Sequence, residues 1–267
     1  MLLAIDAGNT QTVVGLYELD DDGGVPDVER RPEDGLLDHW RIATAAERTS
    51  DELAVMLQGF LSFRSFTLDD IDGIAVSSGV PRVTSGLRDL AERYLEFDPV
   101  VIEPGVRTGI AILVENPKEV GSDRIANAVA AYDVYGGPTI IVDFGTATTC
   151  DAVSANGEYL GGAIAPGIEI SMDALVGRAS ALRAVEMKEP RHVLGKSTVE
   201  CIQSGAVYGF SAQVDGLCTR IQAELGPCTV VSTGGLADLI TPLSSQIQHS
   251  EPWLTLHGLR LVYEKNA

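Results

Sequence analysis

Two stretches of this 267-residue chain place an acid, a glycine and hydroxyl or amide residues at the end of an apolar run. Asp6-Ala7-Gly8-Asn9-Thr10 follows Leu2 to Ile5, and Asp143-Phe144-Gly145-Thr146-Ala147-Thr148 follows Thr139 to Val142. Glycine lets backbone approach a ligand closely, and a tight turn can aim successive N–H groups at an anion. Threonine and asparagine add neutral donors. The acid cannot bind phosphate directly and makes sense as the partner of hydrated Mg²⁺ or another cation. Two such turns on facing halves would grip a polyphosphate from both sides, as phosphoryl transfer needs. One copy alone reads more simply as a glycine hairpin with Asx-type caps. The matched pair favours the ligand reading.

The two stretches are also self-similar. "AIDAGNTQTVVGL" and "IVDFGTATTCDAV" superpose at an offset of 137 residues, too long for a solenoid and suited to two homologous halves. The boundary falls near residues 118 to 122, giving halves of 1–119 and 120–267.

Three further motifs bear on chemistry. Gly121-Ser122-Asp123-Arg124 opens a helix, where Asp123 either stabilises the first turn or accepts a hydroxyl proton while Arg124 holds an anionic substrate. Spacing leaves the two roles open. Gly195-Lys196-Ser197 is not a P-loop, because Pro190 stands where the first glycine belongs and no apolar strand precedes it. Ser197-Thr198-Val199-Glu200 instead fits a capping box, and Thr198 could still face a ligand at that helix N-terminus. Ser232-Thr233-Gly234-Gly235 follows a buried strand, either as a plain turn or as backbone against which a flat base lies.

These motifs need elements to hold them. Thr12 to Tyr17 and His39 to Ile42 read as strands, with the acidic, Gly- and Pro-containing stretch Asp20 to Asp38 as an extended hairpin loop between them. Thr49-Ser50-Asp51-Glu52 opens a helix whose Leu53, Met56, Leu57, Phe60 and Leu61 share one face. Ile74–Val76 and Val100–Ile102 are short strands around a helix from Thr84 to Leu95. Further on come a helix from Ser122 to Tyr135, a strand from Thr139 to Val142, and strands Thr149–Val153 and Glu158–Ile164 flanking Asn156-Gly157. A helix from Ser197 to Leu225 and a strand from Thr229 to Thr233 complete an α/β pattern. Trp40 and Trp253 belong to core or interface.

Composition narrows the function. A net charge of −19, from 19 basic and 38 acidic residues, argues against nucleic-acid binding but not against an anionic small molecule held by local amides and cations. Four cysteines (Cys150, Cys201, Cys218, Cys228) and four histidines show neither a zinc pattern nor a disulfide framework. The N-terminus lacks the features of a secretion signal and no apolar run reaches membrane-span length, so a reducing cytoplasm and no membrane are expected.

Taken in order, Asp6-Ala7-Gly8-Asn9-Thr10, Gly121-Ser122-Asp123-Arg124, Asp143-Phe144-Gly145-Thr146-Ala147-Thr148-Thr149 and Thr233-Gly234-Gly235 closely resemble the type III pantothenate kinases. Glu103-Pro104-Gly105-Val106-Arg107-Thr108-Gly109 and Gly161-Gly162-Ala163-Ile164-Ala165-Pro166-Gly167 extend the resemblance, which runs from residue 2 to about 240. It implies two duplicated RNase H-like α/β halves of the acetate and sugar kinase, Hsp70 and actin type, with mixed sheets flanked by helices. It implies ATP-dependent phosphorylation of pantothenate, the first step of coenzyme A biosynthesis, in a homodimer.

By family pattern, Asp6, Ala7, Gly8, Asn9, Thr10, Gln11, Thr12 and Val13 form the first phosphate loop, with Asp6 organising Mg²⁺. Thr146 contacts ATP, Asp143 holds a monovalent cation (K⁺ or NH₄⁺), and Gly234 and Gly235 meet adenosine. Asp123 is the base and Arg124 a substrate ligand, with Gly121, Ser122 and Thr198 in the pantothenate site. The departures are Ala7, where an aliphatic residue is common, Gln11, where a basic or small one is, and the long acidic loop from Asp20 to Asp38, which lies away from the motifs. The competing expectation is a catalytically silent relative acting as a regulator or binding protein; the intact motif residues weigh against it. A different small-molecule kinase of the same fold would have no reason to carry Gly121-Ser122-Asp123-Arg124.

Overall fold

A computed structural model describes residues 1–19 and 31–267, so residues 20–30 of the acidic stretch lie outside the described residues. Two compact units emerge. One comprises Met1–Ala111, Glu115–Val134 and Trp253–Ala267, the other Ile112–Val114 and Tyr135–Pro252.

The first unit is built on a five-stranded sheet. Its strands are β1 (Leu2–Ala7), β2 (Gln11–Tyr17), β3 (Leu36–Ala43), β4 (Gly73–Ser78) and β5 (Val100–Val101), ordered β3-β2-β1-β4-β5. β1 pairs antiparallel with β2 and parallel with β4. Apolar residues on one face, among them Leu3, Ile5, Val14, Ile74 and Val76, pack with Leu53, Leu57 and Leu61 of α1 (Ser50–Ser62) and Leu87 and Leu90 of α2 (Pro81–Tyr94). Each such fully buried side chain is worth about 1.5–3 kcal/mol of transfer free energy. Thr49 caps α1 in a reciprocal box with Glu52, as its sequence predicts. β3 is longer than the predicted His39–Ile42 because it follows β2 from Gln11↔Ala43 to Tyr17↔Leu36. Trp40 stacks on Phe60 at a centroid distance of 5.3 Å.

The second unit carries a six-stranded sheet ordered β11-β10-β7-β8-β9-β6. Its strands are β6 (Ala111–Ile112), β7 (Thr139–Phe144), β8 (Ala147–Val153), β9 (Glu158–Pro166), β10 (Thr229–Thr233) and β11 (His249–Ser250). α3 (Ser122–Tyr135), which belongs to the first unit as far as Val134, precedes β7 in the chain; α4 (Ile168–Arg178) and α5 (Thr198–Leu225) follow β9, and α6 (Ala237–Ile240) follows β10. Ile140, Val142, Phe144, Cys150 and Val230 share a core with Val207, Val214 and Cys218 of α5.

The hairpins β1–β2 and β7–β8 repeat each other, down to a register break before their last pairs with β3 and β9, Tyr17↔Leu36 and Val153↔Tyr159. The offset of 137 holds along the first strand of each and slips by one across the turn. Asp6 pairs with Val13, whereas Asp143 pairs with Thr149. Thr12 therefore corresponds to Thr148, and the second turn is one residue tighter.

α7 (Leu254–Glu264), which apolar patterning alone did not bring out, packs on β1, β4 and β2. It buries Leu254, Leu256, Leu259, Leu261 and Val262. A Cβ on Gly258 would overlap the backbone of Ala126, so α7 lies directly against α3. Fully buried Arg260 donates to the Asp34 carbonyl oxygen and, over 2.9 Å, to His257 Nδ1. Arginine only donates, so His257 carries its proton on Nε2 and donates to Asp133 Oδ2, 3.1 Å away. Residues 115–134 and 253–267 thus belong with the first sheet, across the 119/120 division of the duplicated sequence.

Candidate active site

The acid of each repeat is the penultimate residue of its strand, before Ala7 in β1 and Phe144 in β7, and period-2 alternation sends it to the face opposite its apolar neighbours. Asp6 and Asp143 are both half-buried, flanked by buried Ile5 and Ala7 and by buried Val142 and Phe144. In the first turn the Gly8 amide donates to the Gln11 carbonyl at 3.0 Å. In the second, the Gly145 amide donates to the Ala147 carbonyl at 3.1 Å. Asn9, Thr10 and Gln11 are exposed in the first turn, and Gly145 and Thr146 in the second. Ala7 and Thr12 are buried, so within the first stretch the exposed donors come from residues 9 to 11.

A residue outside the motifs locks the first turn. Thr44 Oγ1 donates to the Gly8 carbonyl at 2.7 Å, so the 2.8 Å contact between Thr12 and Thr44 must have Thr12 as donor. The Thr44 amide also donates to the Thr10 carbonyl at 3.0 Å. Only the pairing of β3 with β2 brings Thr44 there, a non-local fact with no local sequence signal. Arg41 donates to the Gln11 side chain at 2.9 Å.

In the same unit, Gly121-Ser122-Asp123-Arg124 arrives at the Asp6 end of the sheet. Ser122 Oγ accepts the Ser78 amide at 3.1 Å and lies 2.9 Å from Ser77 Oγ. Ser77 is the parallel neighbour of Asp6. The Gly121 carbonyl accepts the first helical bond from Ile125 at 3.1 Å. A Cβ on Gly121 would overlap the Asp123 carboxylate, which folds back to accept the Arg124 amide at 2.8 Å. Asp123 itself is exposed at the head of α3. Ser77 and Ser78, absent from the sequence reading, thus anchor this motif.

The second unit joins two other motifs. Thr233 pairs with Asp143 across β10 and β7, and Gly234 follows with φ +96°. A Cβ on Gly234 would stand 2.5 Å from Asp143 Oδ1 and 2.7 Å from Phe144 N. Gly167 closes on the same turn, its amide donating to the Thr146 carbonyl at 3.0 Å, with no room for a Cβ over Gly145 and Thr146. Thr198 is the exposed first residue of α5, capped by Ser197, which accepts the Glu200 amide at 3.2 Å. The reciprocal half of the predicted capping box does not form. Gly195 folds so closely over Glu200 and Cys201 that the Glu200 carboxylate takes the Lys196 amide, 2.9 Å away, instead of the Ser197 one.

Among the described residues no three His, Cys, Asp or Glu side chains cluster to hold a metal ion. A single half-buried carboxylate at each turn suits a hard cation that keeps most of its coordination from phosphate and water.

A family model described as type III pantothenate kinase matches residues 2–220. The chain belongs to the type III pantothenate kinase family. A type III pantothenate kinase of Streptomyces avermitilis is 54% identical over 275 residues, covering 100% of this chain and 98% of that protein. The fold is shared more widely than the family sequence. A protein described as a Baf family transcriptional activator from Campylobacter jejuni superposes with a TM-score of 0.59 at 17% identity, covering 99% of this chain and 98% of that one. An inorganic polyphosphate/ATP-glucomannokinase from Arthrobacter superposes with a TM-score of 0.51 at 13% identity, covering 97% and 96%. The α/β architecture of this type III pantothenate kinase family member is therefore that of the sugar kinase, Hsp70 and actin class.

Proposed function

We propose that the chain transfers the γ-phosphoryl group of ATP to the primary alcohol of pantothenate, the first step of coenzyme A biosynthesis. The carrying observation is that a chain of this family brings Asp6 and Gly121-Ser122-Asp123-Arg124 to one end of one sheet, through Ser77 and Ser78.

In this reading the turn from Asp6 to Val13 and Thr146 hold the phosphates, with Gly234 and Gly235 beside the adenosine. Asp6 organises Mg²⁺ and Asp143 holds K⁺ or NH₄⁺; bound cations supply the charge neutralisation that a triphosphate requires beside a chain of net charge −19. Asp123 accepts the alcohol proton while Arg124, with Gly121, Ser122 and Thr198, holds pantothenate. The alcohol oxygen forms its bond to the γ-phosphorus as the bond to the β-phosphate bridging oxygen breaks, and ADP leaves with that electron pair. Positioning and charge stabilisation do most of this work.

Exposed apolar residues of the second unit, Ile164, Ile170, Leu175, Val193, Leu194 and Val199, support association into a homodimer. Among the described residues no helix is long and apolar enough to cross a membrane. A cytoplasmic location is consistent with a kinase acting on these two soluble substrates.

Asp123→Asn tests the reaction directly. Loss of about 10²–10⁴ in kcat with unchanged ATP binding supports the assignment. Near wild-type turnover would remove Asp123 from the base role.

A further inference from the structure

The two phosphate turns differ in what stands behind them. Register pairs Asp6 with Val13 and Asp143 with Thr149. Two residues further along each second strand are Gly15 and Asp151, paired with Ala4 and Ile141. Beyond the register break come Leu36 in one sheet and Tyr159 in the other. An apolar Val13–Gly15–Leu36 set in the first half is thus replaced by Thr149–Asp151–Tyr159 in the second. The replacement is costly: Asp151 is 1% exposed, Tyr159 is 0% exposed, and a buried carboxylate loses several kcal/mol of hydration. The first half shows that the fold itself needs no carboxylate there.

The hydrogen bonds give the set a direction. Tyr159 donates to Asp151 Oδ1 at 2.6 Å, and Thr149 Oγ1 donates to Asp151 Oδ2 at 3.0 Å. Gly162 of β9 leaves the room, since a Cβ on it would stand 2.8 Å from Asp151 Oδ1. A hydroxyl has one proton. With that proton committed to Asp151, Thr149 can offer only oxygen lone pairs to anything on the Asp143 side of the ladder. A carboxylate and an acceptor-only oxygen directly across a strand pair form a wall that attracts a hard cation.

We infer that Thr149 Oγ1 is a second oxygen ligand for a monovalent cation at Asp143, and that Asp151 is the positioning residue that turns its lone pairs toward that cation. The inference rests on the proposed cation role of Asp143. It also accounts for the asymmetry of the duplication on the second strand of each hairpin: Val13 and Gly15 of β2 bring no side-chain oxygen to Asp6, whereas β8 brings Thr149 and Asp151 to Asp143.

The test is direct binding of thallium(I), a K⁺ substitute, to the full chain by thallium NMR, with circular dichroism and thermal melting to confirm folding. Thr149→Val should weaken thallium binding by about tenfold or more, and Thr149→Ser should restore it to near the wild-type value. Asp151→Asn should weaken it by about 10–100-fold, because its amide can donate to Thr149 and reverse the hydroxyl. Folded Thr149→Val that binds thallium like the wild type, while Asp143→Asn does not, overturns the inference and leaves the Asp143 reading standing. Should Asp151→Asn not fold, the Val and Ser variants of Thr149 decide. No thallium binding by the unsubstituted chain brings down the Asp143 reading and this inference together.

Discussion

Gly234 leaves the space in which the Asp143 carboxylate stands. With φ at +96°, its missing side chain would come within 2.5 Å of Asp143 Oδ1, so the glycine after β10 fixes where the acid near the end of β7 can point. The motif proposed to meet adenosine and the acid proposed to hold a cation are one structural device in the second unit.

Gly234→Ala should therefore do more harm than a strained backbone alone explains. Gly226 is the control: its φ is +88°, yet no atom lies within 4 Å of a Cβ built there. Gly226→Ala is expected to cost about 1–2 kcal/mol of stability and leave turnover unchanged. Gly234→Ala is expected to lower kcat/KM for ATP by about 10²-fold or more, as the carboxylate is displaced. Thermal melts beside steady-state kinetics separate the two effects.

Thr44→Val should loosen the turn after Asp6, proposed to hold phosphate. It removes the donor to the Gly8 carbonyl and leaves the Thr12 hydroxyl without its acceptor, a loss of about 1–3 kcal/mol shared between folding and nucleotide binding. A KM for ATP that rises several-fold, with a smaller fall in kcat, is the expected split.

Thiol reactivity should be confined to one cysteine. Cys201 is exposed, whereas Cys150, Cys218 and Cys228 are buried. A hydrogen bond with Cys218 and burial push the Cys150 thiol far up, and burial, then the neighbouring Cys218, raises Cys228. Titration with an aromatic disulfide should find one fast thiol in the native chain and four after denaturation. Cys201→Ser should abolish the fast phase.

Acid should selectively erase the contribution of Asp215. Burial raises its pKa, but donors from Ser244 Oγ, Ser245 N and Ser245 Oγ outweigh it and hold the carboxyl below its ordinary value. A depressed folded-state pKa means stability that is complete above the unfolded value, about 3.9, and lost as pH falls through the folded one. Asp215→Asn should lower Tm at pH 7, with the difference from wild type shrinking below about pH 4. A difference independent of pH would mean that packing, not charge, explains the loss.

Much of this arrangement was legible because it is local. The stripe Leu53–Leu57–Leu61, the Thr49–Glu52 box, the Asn156-Gly157 turn and both acid–glycine turns follow from spacing and side-chain chemistry alone. What escaped is non-local. Thr44 acts through β3 pairing, Ser77 and Ser78 through a parallel neighbour, and α7 through burial of a short helix against three strands. The slip in the 137-residue repeat was also hidden, since Thr148 and Thr149 are the same residue type and only the ladder shows which one faces Asp143.

The central claim is tested most directly by ADP release from Mg-ATP, with and without pantothenate, in KCl and again in NaCl. The account predicts turnover that requires pantothenate and is supported by K⁺ but not by Na⁺. Turnover with another alcohol in place of pantothenate, or ATP binding with no turnover in either salt, would contradict it.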